Sequence, residues 1–532
     1  MSNNPVLTIL TFLPALFALL LAFLPKDNKK LLQQATMAGT LITLLVSLGI
    51  CAQYHPAEQT TLHPFQLEHK FAWIPSLHIN YYLGMDGISL LMVLMTTGIF
   101  PFVVGISGRE IDQRVQQYYA WILVMETAIL GVFLSLNLVL YYVFWEAMLI
   151  PLYFIIGIWG GPKRLYATVK FFLYTMVGSM VMLVSILALY FVSGQQTFDF
   201  PELQRIVPQA LAQKTTTEAL LFLGFFLAFG IKAPIWPFHT WVPDAYAEAP
   251  TGGTIILVAL KMGLYGFLRF CLPMFPHAVA AYAPAIIVFS VIGIIYAALV
   301  AAMQTDLKRL IAYSSVSHIG VIMLAIFALA PIGESGAVIQ MVSHTFTTGG
   351  LFLLIAYLYS RRGSYQIADY GGVMKVMPAF AVVFLIATLS SVALPLTSGF
   401  TGEFLMLLGA FQTNPVATGF ATTAAIWSAV YMLWMYQRVM HGPLDKDENK
   451  SLKDLTPGEW GAMVPIVLII FALGIASTPV LNVLNPSVAT VLTQTGIPYN
   501  DPLLKPDTHV SLPKATAETR AAHVASAATG GR

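Results

Sequence analysis

The chain is a succession of apolar runs, each about as long as a bilayer crossing requires, and that pattern leaves few folds open. A helix spanning the hydrocarbon core needs about 20 apolar residues. Runs of this kind lie near residues 5–25, 32–52, 86–106, 117–136, 137–159, 168–193, 217–246, 252–273, 280–303, 310–330, 335–359, 376–411, 417–440 and 459–482. They predict an all-α, polytopic membrane protein with about fourteen transmembrane helices. Of the 532 residues, 57% are hydrophobic and only 10% are charged, whereas a soluble domain carries about 25% charged residues. So few charges cannot cover a water-facing surface, and the chain must face the lipid bilayer. Its net charge of +2 offers no strong field for nucleic acid or an acidic ligand. Its two cysteines, Cys51 and Cys271, are too few for an iron–sulfur site or a disulfide framework. Neither a metal nor a redox cofactor is therefore expected on the chain. The first run has no basic segment before it and no small-residue cleavage site after it, which predicts a retained span.

Two of the runs, 217–246 and 376–411, are too long for one simple span. The first contains Pro234 and Pro237, the second Pro395. Proline removes a ladder hydrogen bond and clashes with the preceding turn. In a bilayer such a break survives only where protein or water satisfies the freed groups. The seventh and twelfth helices are thus predicted to be broken, as in transporters. Five is an odd number, so a five-helix unit repeated in tandem inserts the second time upside-down. This gives two inverted five-helix repeats, and the organisation becomes 1–116 for helices one to three, 117–273 and 274–441 for the repeats, 442–482 for the last helix, and 483–532 for a disordered tail. Loops after odd-numbered helices hold sixteen lysines and arginines, against Lys70, Arg205, Lys214 and Arg269 on the other side. That asymmetry places the odd loops in the cytoplasm and both termini on the opposite, periplasmic face.

Four ionisable residues lie deep in these spans: Glu146, Lys232, Lys261 and Glu403. Each costs about 2.5–3.5 kcal/mol at a helix centre, so four cost on the order of 10 kcal/mol. Lys232 immediately precedes the first helix break. Lys261 is central in its span, and Glu403 follows Pro395. Proton transfer explains these residue types. Out of water, lysine and glutamate each resist carrying charge unless the other is near. Separating such a pair changes how firmly each partner holds its proton. Glu146 and Lys232 then form a candidate switch, Lys261 a candidate acceptor, and Glu403 a candidate release group. The blander alternative is static ion pairing or snorkelling to the interface. Glu126, also mid-span, is a secondary candidate. His239, His318 and His344 join it, because histidine shuttles protons near neutral pH. His318 and His344, with Ser314, Ser315, Ser317, Ser343 and Thr345, would form a polar seam, or simply interhelical hydrogen-bond glue. Lys170 reads as a snorkelling residue and Asp86 as a helix N-cap.

The stretches Phe-Trp-Glu-Ala-Met-Leu-Ile-Pro-Leu-Tyr-Phe at 144–154, Gly-Ile-Lys-Ala-Pro-Ile-Trp-Pro-Phe-His-Thr-Trp-Val-Pro-Asp-Ala-Tyr-Ala-Glu-Ala-Pro-Thr at 230–251, Asp-Leu-Lys-Arg-Leu-Ile-Ala-Tyr-Ser-Ser-Val-Ser-His at 306–318 and Gly-Phe-Thr-Gly-Glu-Phe at 399–404 carry a family likeness. Together they resemble the antiporter-like subunits of respiratory complex I, the NADH:quinone oxidoreductase, over roughly residues 80–440. Glutamate rather than lysine in the twelfth helix, and no long lateral helix after the fourteenth, resemble the M type. The resemblance implies a hydrated axis of polar residues along the membrane plane. It implies Glu146 and Lys232 as the coupling pair, Lys261 as central relay and Glu403 as terminal carrier, with His239, His318 and His344 near the axis. NADH, FMN, iron–sulfur clusters and quinone would be bound by other subunits. The partners would be other membrane subunits, especially two related antiporter-like ones, in a bacterial inner membrane. The same motifs also serve a multi-subunit sodium/proton antiporter or an energy-converting hydrogenase. A reading of another class, a structural spacer with inert buried charges, is also open from the sequence.

Overall fold

The computed structural model describes residues 4–60, 63–194 and 196–496. Among these residues, twelve helices are long and apolar enough to cross a membrane, and Val6–Leu21 and Pro378–Ser391 are shorter apolar helices. The expected fourteen therefore includes two elements that fall short of a full span by length. Elsewhere the helices follow the apolar runs closely. Their outer sides leave residues such as Leu45, Val184, Leu220 and Val288 exposed, as lipid-facing helices do.

Enclosure is uneven, and the unevenness locates the interior. The apolar windows of Thr251–Met274 and Pro331–Arg362 are 100% buried and that of Leu307–Phe327 is 94% buried, against 22% for Pro457–Ile475. The three most enclosed spans are the ones that carry Lys261, His318 and His344.

Both expected breaks are present. The helix Thr215–Lys232 stops at Lys232, and the chain resumes as the short turn Phe238–Trp241 and the helix Val242–Glu248. Its freed backbone groups find partners: the Trp241 indole donates to the Ile231 carbonyl at 2.9 Å, and the Ile235 amide to the Gly230 carbonyl at 3.0 Å. The second break separates Pro378–Ser391 from Ser398–Thr413. Two further interruptions lie outside the expected pattern. Leu138–Ala147 and Leu149–Trp159 meet at Met148, because Pro151 has no amide to give the Ala147 carbonyl. Thr251–Ala259 and Met262–Gly266 are separated at Leu260 and Lys261, with no proline to announce it.

The all-α expectation holds for the bulk of the chain, with one small element added: Gln66–Ile74 and Ile79–Met85 pair as an antiparallel hairpin between the second and third spans. The hairpin is tied down by Lys70, which pairs with Asp199 at 2.8 Å and Glu202 at 3.6 Å. Partial burial disfavours the Lys70 ammonium, but the bonds to Asp199 and then Glu202 outweigh it and raise its pKa above the ordinary lysine value. An amphipathic helix, Phe200–Leu211, buries Phe200, Leu203, Val207 and Leu211. Residues 483–494 are not a disordered tail but belong to the helix Thr478–Gln494, whose Ser487 accepts from the Gly87 amide at 2.7 Å. Residues 497–532 of that expected tail lie outside the described residues. Arg269, assigned to a loop on the sparsely charged side, is 3% exposed inside its span.

One glycine sets the approach between the helices of Lys232 and Lys261. A Cβ at Gly263 would lie 2.5 Å from the Phe229 carbonyl oxygen and 2.7 Å from the Ala233 amide nitrogen. Both are backbone atoms and cannot yield. Gly263→Val is therefore expected to destabilise the bundle by about 1–3 kcal/mol, read as a lowered thermal unfolding midpoint of the detergent-solubilised protein.

Candidate functional site

The side chains predicted from sequence fall into a connected row and several separate positions. The row begins at Lys261. Its ammonium donates to the Val258 carbonyl at 2.7 Å, a group freed by the break in its own helix. The same nitrogen lies 3.0 Å from Nδ1 of His344. The His344 and His318 rings stand edge to face with centroids 5.9 Å apart, and Nδ1 of His318 is 4.0 Å from a Glu403 carboxylate oxygen. Four side chains from four spans thus lie in sequence: Lys261, His344, His318, Glu403. All four are at most 7% exposed.

Local sequence explains the placement. Gly402 precedes Glu403, and a Cβ there would fall 2.3 Å from Gln340, so the glycine lets the second half of the broken twelfth span press against the helix of His344. Ser343 donates to Ser398 at 2.8 Å, and Thr347 and Ser390 share a hydrogen bond at 2.8 Å. These hydroxyls hold both edges of the break. Ser343, Thr347 and Ser390, together with His318, His344 and Gln340, line a small polar cavity. The expected seam is real in this part; Ser314, by contrast, accepts from Tyr431 at 2.9 Å.

Glu146 and Lys232 are brought near each other without closing an ion pair. The Lys232 ammonium sits over the rings of Trp145 and Phe171, at 5.3 and 5.6 Å. Among the described residues it has no hydrogen-bond partner, nor does Oε1 of Glu146. The expected contact is thus an open one. His239 stands apart from the row, its ring 5.3 Å from that of Tyr296 and its Nδ1 unpartnered. Glu126 is fully buried with both carboxylate oxygens unpartnered among the described residues, so it bonds none of the other candidates.

The row does not hold every buried group of interest. Glu334, in the first turn of Pro331–Arg362, is fully buried with both oxygens unpartnered. At a helix start an acidic residue reads as a partner of the helix dipole, which hid it in the sequence. Asp86 is the expected N-cap, bonded to the Ser89 amide at 2.9 Å, and it also pairs with Arg269 at 2.5 Å. Lys170 does not snorkel: it bonds Asp244 at 2.8 Å and the Thr240 carbonyl at 2.8 Å. Among the described residues no group of three or more His, Cys, Asp or Glu side chains is placed to hold a metal ion.

Residues 135–428 match the family model described as NADH:quinone oxidoreductase/Mrp antiporter, TM. A curated NADH-quinone oxidoreductase subunit M of Rhodobacter capsulatus is 43% identical over 496 residues, covering 91% of this chain and 96% of that protein. The chain belongs to the NADH-quinone oxidoreductase subunit M family. A subunit M of Mycobacterium tuberculosis is 39% identical over 534 residues, covering 93% of this chain and 95% of the relative. A chain in the structure of respiratory complex I from Thermus thermophilus with bound NADH superposes with a TM-score of 0.83 at 30% identity, covering 92% of this chain and all of that one. A chain of the Mrp complex from Dietzia shares the fold alone, with a TM-score of 0.78 at 18% identity and coverage of 93% of this chain and 100% of its own. Membership thus places the row inside a subunit M fold, with all four of its residues within the matched segment of the family model.

Asp244 carries a structural prediction for this subunit M. It holds Lys170 and, at 3.3 Å, Arg309 against the return of the broken seventh span. Asp244→Asn is expected to lower stability by about 1 kcal/mol, because the cluster is partly exposed. The unfolding midpoint of the purified protein checks it.

Proposed function

We propose that this chain is a proton-translocating membrane subunit of an NADH:quinone oxidoreductase. The observation that carries the reading is the buried row Lys261–His344–His318–Glu403 of a subunit M fold, whose first three members lie in the most enclosed spans. Quinone reduction, flavin and iron–sulfur chemistry are assigned to other subunits of the complex. The partners are its other membrane subunits, in particular related antiporter-like ones. The chain sits as a multi-pass protein in a bacterial inner membrane with both termini periplasmic.

The chemistry follows from the atoms. Lys261 Nζ and His344 Nδ1 are at hydrogen-bonding distance, and either can donate, depending on which holds the proton. Proton transfer between groups so placed needs no large motion. The step from His344 to His318 spans more than a hydrogen bond, and the polar cavity beside both rings is an environment that hydrates readily. Glu403 then takes the proton at the far end. The open Glu146–Lys232 contact supplies the control. Closing it steadies both charges, and opening it weakens the hold of Lys232 on its proton and sends a positive charge toward Lys261. The similarity to relatives named subunit M runs over nearly the whole chain, which favours this reading over a sodium/proton antiporter or a hydrogenase subunit. A structural spacer would have no use for a row of this kind, given the cost of burying each member.

Glu146→Ala, Lys232→Ala and Lys261→Ala in the assembled complex are expected to cut proton pumping by about tenfold or more, with coupled quinone reduction falling alongside. Pumping is read by quenching of a pH-sensitive dye in membrane vesicles. Normal pumping in all three would refute the relay and leave the spacer reading standing.

A further inference from the structure

Lys261 does not reach His344 by virtue of a regular helix. Its span is interrupted at Leu260 and Lys261, resumes for the five residues Met262–Gly266, and then opens into a π-helical turn, Phe267–Cys271. A π turn takes up one residue more than an α turn, which rotates the residues beyond it by about 100°. The short segment Met262–Gly266, with Lys261 as its N-cap, is thus bounded by irregular backbone at both ends, and something must hold its register.

A buried polar network outside the row is tied to that segment. The Tyr265 amide donates to the Lys261 carbonyl at 2.9 Å. The Tyr265 hydroxyl donates to the Phe133 carbonyl at the end of Val115–Leu134, at 2.9 Å, and accepts from Nε of Arg269 at 3.1 Å. The Arg269 guanidinium, inside the π turn, pairs with Asp86 at 2.5 Å, and both side chains are at most 3% exposed. Asp86 is itself fixed as the N-cap of Gly87–Glu110 by Ser89, in a capping box. The π turn is therefore pinned to two other spans, and loss of the Asp86 carboxylate would leave the Arg269 charge buried and unpaired.

We infer that Asp86, Arg269 and Tyr265 form a clamp that sets Lys261 against His344. They are positioning residues, outside the proton path. The clamp holds the π turn in place, so the extra residue cannot migrate toward Lys261 and rotate its side chain away. This rests on the reading of Lys261 and His344 as relay members.

Asp86→Asn is a clean probe, because asparagine keeps the helix cap and removes the charge facing Arg269. Tyr265→Phe removes only the hydroxyl shared by Arg269 and Phe133. In the assembled complex both are expected to lower pumping roughly tenfold, the scale of a small misplacement of reacting groups, while NADH oxidation by an artificial acceptor is unchanged. A static ion pair would act independently of His344. The clamp predicts instead that adding Asp86→Asn to His344→Leu costs nothing beyond His344→Leu alone. Normal pumping in both single variants, full additivity in the double variant, or failure of both single variants to assemble overturns the clamp. Lys261→Ala, measured alongside, separates the two levels. If it pumps normally, the reading of the site falls. If it is deficient while Asp86→Asn and Tyr265→Phe are normal, the clamp alone falls.

Discussion

Inside a bilayer neither a titratable side chain nor a free backbone carbonyl has water to turn to. At Lys261 the two problems solve one another. The Lys261 ammonium bonds the Val258 carbonyl that its own helix leaves free. Lys232 is the last residue of its helix before the seventh span breaks, and Glu146 stands beside the interruption that Pro151 imposes at Met148. Glu403 follows the gap between Ser391 and Ser398. Lys232, Glu146 and Lys261 thus sit at or beside places where the helical ladder opens, with Glu403 in the helix that follows such a gap, and at Lys261 the opening supplies a carbonyl that an intact helix would bond to its own amide.

Everything else in the fold serves to keep those openings closed to lipid. The broken spans are packed by glycines at Gly263 and Gly402, where a side chain would strike backbone or Gln340. The helices of Lys261, His318 and His344 are the most enclosed, while the peripheral spans present apolar side chains outward. The subunit M architecture is in this sense a shield of ordinary helices around a few irregular ones. The row draws on both kinds: Lys261 and Glu403 come from interrupted spans, His318 and His344 from the two continuous helices packed between them.

Much of this is legible in the chain. Apolar run length places nearly every span, and mid-span prolines mark two of the breaks. The cost of burial singles out Glu146, Lys232, Lys261 and Glu403, and the titration range of histidine adds His318 and His344; of these the fold gathers Lys261, His344, His318 and Glu403 into one row. The rest leaves no mark that a linear pattern could carry. The Lys261 break and the π turn contain no proline ahead of Leu272, and they depend on long-range bonds such as Arg269 with Asp86. The hairpin of residues 66–85 lies in a stretch where the eye follows hydropathy rather than alternation. Glu334 looks like a helix-start acid until its burial is known, and Lys170 looks like a snorkelling residue until Asp244 is placed beside it.

The relay requires protons to pass between Lys261 and Glu403 through the two histidines. The most direct measurement is the proton-to-electron ratio of the reconstituted complex carrying His344→Leu, with NADH oxidation and proton uptake followed together in sealed vesicles. A conducting row predicts a ratio clearly below that of the unsubstituted complex, in a preparation that still assembles. An unchanged ratio at an unchanged rate of electron transfer would contradict it.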